Sequence, residues 1–156
     1  MTAFEKLKNF FDEREVAHKA TKPLGKNAVG EVVIITENES KSYAFKKTGD
    51  FATLFEEKAI EPDFTMKLEE GAIDEMINLK SESVGDFGVH FFKVFKAKEK
   101  GKIIKLKLNI GFFKIISKGY LKVLLLGGPI VLSALTKLGI NGIEGIKKIL
   151  SKKSDE

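Results

Sequence analysis

Two pairs of residues stand at spacings that place a carboxylate and an imidazole on one helix face. Glu15 and His18 are three apart, and Asp86 and His90 are four apart. An E-x-x-H step ligates metal in di-iron bundles, which use it twice and add two further glutamates from other helices. Here the step occurs once. Asp86 with His90 supplies two groups toward a metal site, with no third ligand near them in the chain. Both histidines therefore read as surface or helix-boundary residues. The chain has no cysteine, which removes thiol nucleophiles, disulfides, zinc ribbons and iron–sulfur clusters together. It contains no G-x-S-x-G elbow, no P-loop and no G-x-G-x-x-G turn. Gly85-Asp86-Phe87-Gly88 holds a D-F-G triplet with no other kinase element around it. The expectation is a protein that is not an enzyme and uses neither cofactor nor metal.

The chemistry that remains is apolar. Thirteen phenylalanines stand against two tyrosines and no tryptophan, so most of the aromatic surface has no polar handle and belongs somewhere dry. In 156 residues there is room for one domain with a core of its own, and 43% hydrophobic with 31% charged residues describes a folded, heavily charged chain. The net charge of +5 is unevenly placed: residues 1–80 carry −4 and residues 81–156 carry +9. A basic half suits nucleic acid or an anionic membrane surface. Arg14 is the sole arginine, and arginine is the residue suited to bidentate reading of phosphate and base edges. Sequence-specific nucleic-acid binding is therefore not expected. An all-lysine surface fits a lipid headgroup layer or plain solvation.

Periodicity supplies the elements that must position these groups. Thr2 and Glu5 make a capping box before Phe4, Leu7 and Phe11, so Met1–Arg14 reads as an amphipathic helix and not as a secretory signal. Val29–Thr36 is a β-branched strand, and the stretch around Tyr43 and Phe45 pairs with it in a hairpin. Phe51, Thr53 and Phe55 share one face of the next strand, and Glu61-Pro62 breaks the chain. From Asp63 to Leu68, Phe64, Met66 and Leu68 point inward. Across Lys102–Ile110 the apolar face is Ile104, Leu106, Leu108 and Ile110. Helices are expected over Glu70–Leu79 and over Asp86–Phe95, the latter with Asp86 as N-cap, and again from Phe112 onward through Tyr120.

This order of elements resembles a family. A helix and a hairpin-rich sheet lead to Pro62-Asp63-Phe64-Thr65-Met66-Lys67-Leu68 and a helix. Gly101-Lys102-Ile103-Ile104-Lys105-Leu106-Lys107 and another helix follow. Together they look like the sterol carrier protein 2 domain over residues 3–118. Two features depart from its pattern. Leu108-Asn109-Ile110-Gly111 stands where members often have Gly followed by Asp or Asn, and the chain continues well beyond the usual end. The resemblance implies an α+β fold with a mainly antiparallel five-stranded sheet, covered on one face by helices. An apolar tunnel between them would hold a fatty acyl chain, a sterol or another lipid for carriage without catalysis. Residues 119–156 would be an apolar, then basic, helical extension packed on the same domain.

The large apolar side chains offer a lining for such a tunnel. Phe87, Phe91 and Phe95 form one helical stripe, Leu106 and Leu108 share a strand face, and Phe112, Ile116 and Leu124 belong to the helices after it. Each also reads as ordinary core. Ile143–Lys153 forms a basic amphipathic tail suited to docking on an anionic bilayer. The longest uncharged run, Val123–Thr136, is 14 residues broken by Gly127-Gly128-Pro129, too short to span a membrane. A cytoplasmic lipid-binding or lipid-transfer protein, peripheral at membranes if bound to them, is the expectation. The alternative is a lysine-rich membrane-surface or protein-interaction module with a filled core. A less favoured third reading is an enzyme acting on acyl lipids. The ligand's identity and the oligomeric state are not legible.

Overall fold

The structure, a computed structural model, describes residues 1–126, and the side chains of Phe112, Leu121, Leu124 and Leu125 are outside that description. Helix α1 (Ala3–Glu13) opens on the expected capping box. The Thr2 hydroxyl accepts the Glu5 N–H at 3.1 Å, and the Glu5 carboxylate accepts the Thr2 N–H at 3.2 Å. Arg14 is extended and separates α1 from α2 (Glu15–Thr21). Then come β1 (Val29–Ile35), β2 (Ser40–Thr48), β3 (Phe51–Phe55) and β4 (Phe64–Glu69). Helices α3 (Glu70–Ile77) and α4 (Val84–Ala97) precede β5 (Ile104–Leu108), and α5 (Phe112–Ser117) and α6 (Tyr120–Leu125) follow it.

The fold is α+β, with one five-stranded sheet in the order β3-β2-β1-β4-β5. Three neighbouring pairs are antiparallel and β1–β4 is parallel, so the sheet is mixed though mainly antiparallel. The parallel pair follows from the chain between β3 and β4, which returns to the end of the sheet where β1 begins. Pro62 lies in that connection, outside the ladder, where its missing N–H costs nothing.

Register sorts the two faces. Gly30, Val32 and Ile34 align with Phe45, Tyr43 and Lys41 on one side and with Phe64, Met66 and Leu68 on the other. Those three align in turn with Leu108, Leu106 and Ile104. This apolar face joins Ala3 and Leu7 of α1 and Ala72 and Ile73 of α3 in the main core. The reverse face carries Glu31, Thr65, Lys67, Lys105 and Lys107. Gly30 is required by packing: a Cβ there would lie 2.1 Å from the Phe64 ring, which crosses the strand at that point.

As expected, Phe51, Thr53 and Phe55 share one face of β3, and the core residues Ala52 and Leu54 occupy the other. β3 is an edge strand flanked by α1 and α2, so its phenylalanines find partners there: His18 stacks on Phe51 at 3.9 Å and the Lys8 ammonium lies over Phe55 at 5.3 Å. The same helices close the edge, with Thr21 accepting the Ala52 N–H at 3.0 Å and Lys8 donating to the Leu54 carbonyl at 2.9 Å. Two expectations are corrected. First, α4 is capped by Ser83, whose hydroxyl accepts the Asp86 N–H at 3.3 Å. Asp86 lies inside the first turn, its carboxylate accepting from the Ser81 hydroxyl at 2.6 Å. Second, the helix expected from Phe112 through Tyr120 is broken at Gly119, which has φ +88. Residues 127–156, which hold the Gly127-Gly128-Pro129 break, most of the expected helical extension and the basic Ile143–Lys153 tail, lie outside the described residues.

Candidate functional site

The core is closed over β1–β3 and closed in part over β4–β5. Over β1–β3, Ala52 and Leu54 are fully buried and Val32, Ile34 and Tyr43 are at most 6% exposed. On the inward face of β4–β5, Leu68, Ile104 and Leu108 are buried, while Phe64, Met66 and Leu106 are only half-buried, as are Phe91, Val94 and Phe95 on α4. The half-buried side chains are rich in aromatic rings. Phe91 and Phe95 stack with centroids 6.2 Å apart, and Phe64 lies 6.4 Å from Phe45 and edge-on to Tyr120 at 5.7 Å. Phe4 and Tyr43 stack at 4.2 Å, which helps fill the closed half.

The residues expected to line a tunnel separate on inspection. Phe91, Phe95 and Leu106 belong to the half-buried patch. Leu108 and Phe87 are buried. Phe87 faces α1, its ring 5.6 Å from Phe10 and capped by the Arg14 guanidinium at 5.4 Å. Ile116 is 40% exposed, and its neighbour Ile115 is buried. The start of α5 at Phe112 sets that helix's phase, and adjacent isoleucines cannot both face inward. The side chains of Phe112 and Leu124 lie outside the described residues. Phe64 and Met66 had been legible as inward strand positions. Tyr120 and Val123, which also pack on the core, come from the short helix that Gly119 creates.

At the end of the patch sits a polar cluster that no spacing in the sequence announces. Asp63, at the mouth of β4, is 2% exposed. Its backbone is tied on both sides, donating to the Val29 carbonyl at 2.7 Å and accepting the Asn109 N–H at 2.8 Å. Its carboxylate accepts from Lys118 Nζ at 2.6 Å, the Tyr120 hydroxyl at 2.7 Å and the Val29 N–H at 2.9 Å. Burial pushes the Tyr120 phenol far above its usual range, and the hydrogen bond and charge of Asp63 add to the shift. Through Lys118, Tyr120 and Val29 the carboxylate ties α5 and α6 to the sheet. Gly119 lies against Pro23, whose carbonyl a Cβ would meet at 2.2 Å.

The remaining polar groups are spent on tying elements together. Arg14 forks onto the Glu82 carboxylate at 3.0 and 2.9 Å and reaches the carbonyls of Ile77, Leu79 and Ser81. Glu82 in turn accepts the Val16 N–H at 3.1 Å, and the Arg14 hydrogen bond is the main cause of its lowered pKa. The one arginine is thus committed inside the fold. His18 contacts the Asp12 carbonyl at 2.7 Å, while Glu15 pairs with Lys19. His90 meets Glu75 at 3.3 Å, and Glu75 accepts from Lys102 at 2.5 Å, the bond that chiefly lowers its pKa. Neither histidine pair shares a ligand, and among the described residues no three metal-binding side chains converge.

An open groove of about 490 Å³ adjoins the far end of α6, lined by Lys19, Lys22, Glu82, Ser83, Val84, Gly85 and Leu126. No helix among the described residues is long and apolar enough to cross a membrane. No protein-family profile, curated relative or solved structure matches the chain.

Proposed function

We propose that the protein binds one apolar ligand, a fatty acyl chain or a sterol-like lipid, between α4 and the β4–β5 end of the sheet, and carries it without chemistry. The observation that carries this reading is a group of large apolar side chains left half-buried beside a well-packed core. Phe64, Met66, Leu106, Phe91 and Phe95 are all partly exposed, which leaves large apolar surface for a ligand to cover. Pockets for apolar ligands want this lining, with a few polar groups at one end. The likeness of residues 3–118 to the sterol carrier protein 2 domain supports the same reading, as does the helix-covered five-stranded sheet.

A second reading draws on the reverse face. Lys67 and Lys105 stand directly opposite on β4 and β5, with Lys107 two residues on, and all three are exposed. Like charges opposed across strands are unfavourable unless an anion screens them. A membrane-surface or acidic-partner module would use that face.

Uptake of a fluorescent fatty-acid probe, displaced by unlabelled lipid, separates the two. Under the carrier reading, Phe91→Ala changes probe affinity severalfold. It costs about half the 3–5 kcal/mol of a fully buried phenylalanine, because its ring is only half-buried. Leu54→Ala, in the closed half, costs the full 2–5 kcal/mol or so and leaves affinity unchanged. No uptake, together with salt-sensitive sedimentation on anionic vesicles, would move the assignment to the lysine face.

A further inference from the structure

We infer that the outward face of α5, built on Phe113 and Ile116, docks on an anionic bilayer, with Lys107 and Lys114 meeting its headgroups. This surface lies outside the half-buried patch, so the docking stands whether or not that patch takes a ligand. It also places the membrane contact on α5 and not on the lysines of the reverse sheet face.

α5 has two apolar faces, and the fold uses one of them. Ile115 is 2% exposed, whereas Phe113 is 85% exposed and Ile116 40%. Residues three apart are neighbours on a helix surface, so the exposed pair forms one stripe. The helix is held where it cannot turn that stripe inward. The Lys118 carbonyl at its end accepts the Gly25 N–H at 2.9 Å, and Lys118 Nζ bonds the buried Asp63 carboxylate at 2.6 Å. Most of the Phe113 ring therefore stands in water, and an apolar surface that covers it gains in proportion to the area removed.

The charges that accompany the stripe are of one sign. Every charged residue from Lys100 to Ile143 is a lysine. Lys102 and Lys118 are committed to Glu75 and Asp63. Lys105, Lys107 and Lys114 are exposed and have no carboxylate partner among the described residues. Lys114 follows Phe113 directly, and its stem can lie along the apolar stripe while the ammonium reaches the headgroup layer. Lysine, a hydrated point charge, suits such a layer, and the surface holds no arginine for bidentate pairing. Large apolar side chains flanked by lysines are what an interface-bound helix presents to a bilayer. Ile60 is exposed to a similar degree, 82%, on the connection into β4, but Glu56, Glu57 and Glu61 surround it in the chain. An anionic surface repels that flank, so Ile60 is not part of the contact.

Co-sedimentation with vesicles made of equal parts phosphatidylserine and phosphatidylcholine tests the docking. The wild type should bind them, bind phosphatidylcholine vesicles far less, and release as salt rises. Phe113→Ser should weaken binding about tenfold or more, and Lys114→Gln about fivefold. Ile60→Ser should leave it unchanged; all three sites are exposed, where the fold tolerates substitution. The chain has no tryptophan, so Phe113→Trp supplies a single reporter whose emission should shift to the blue on the anionic vesicles and be quenched by brominated acyl chains. Absence of binding, equal binding to both vesicles, or binding that Phe113→Ser leaves intact refutes the docking. Loss of binding in Lys67→Gln but not in Phe113→Ser would transfer the contact to the reverse sheet face. Self-association that Phe113→Ser abolishes, with no vesicle binding, would make the stripe a contact between two copies of the chain and overturn the inference equally.

Discussion

Asp63 is the residue whose loss should cost the fold most for the fewest atoms removed. Its carboxylate, 2% exposed, joins β1, β4, α5 and α6 through Val29, Lys118 and Tyr120. Asp63→Ala leaves the Lys118 ammonium, itself only 20% exposed, beside a void, and unpairs the Tyr120 hydroxyl and the Val29 N–H. Breaking one partner of a buried pair costs about 3–5 kcal/mol. Lys118 has a flexible stem and can turn its head toward water, so we expect the lower end, about 3 kcal/mol. Out of a total stability of roughly 5–15 kcal/mol, this is a large fraction. Asp63→Asn keeps an acceptor for Tyr120 and loses the charge-assisted bonds, so about 2 kcal/mol is expected. Adding Lys118→Met to Asp63→Asn removes the stranded ammonium and should recover part of that loss, giving a coupling within about 0.5–3 kcal/mol. Urea unfolding followed by far-ultraviolet circular dichroism, with an unchanged m-value, reads all three. A cost below about 1 kcal/mol for Asp63→Ala is the behaviour of a surface pair. That result would mean the carboxylate is reached by water and does not pin α5 and α6.

Gly30→Ala places a methyl 2.1 Å from the Phe64 ring, and overpacking of this kind costs about 1–3 kcal/mol; the Gly30→Ala/Phe64→Leu pair should lose less than Gly30→Ala measured alone, and an equal or larger loss would show that the ring is not what fills the space. Tyr120 has its phenol pKa raised by burial and by Asp63, so the folded state holds that proton more tightly than the unfolded chain does. Its contribution is complete below pH 10.0, the unfolded value, and is lost as pH rises through the folded value. The stability advantage of wild type over Tyr120→Phe should therefore shrink steadily above pH 10 in chemical unfolding, and a constant difference up to pH 11.5 would contradict the buried, Asp63-bonded phenol.

Alternation made β4 and β5 readable. Phe64, Met66 and Leu68 face Leu108, Leu106 and Ile104 as the period of two requires, and the lysines between them fall on the reverse face. Short-range polar signals worked equally well for α1, since a capping box involves only residues three apart. The same signals misled where two residues competed for one role. Ser83 and Asp86 are both good caps, and which of them stands outside the helix depends on where the preceding loop, held by Arg14, delivers the chain. Ile115 and Ile116 differ only in phase, which is set by the break at Gly111 and not by hydrophobicity.

Period thus settled the elements and the inward residues of β4 and β5, because each depends on neighbours within a few residues, while the α+β class came from the order of elements that the family resemblance implied. The placement of phenylalanines was beyond both. Phe87 left the expected stripe because Phe10 and Arg14 meet it from another helix. The Asp63 cluster joins residues 55 and 57 positions apart in the chain, and a carboxylate after a proline looks like any turn residue until tertiary contacts bury it. Burial is a property of the surroundings, so the half-buried Phe64, Met66 and Leu106 are told from the buried Leu68, Ile104 and Leu108 on the same face only once the sheet and helices have been brought together.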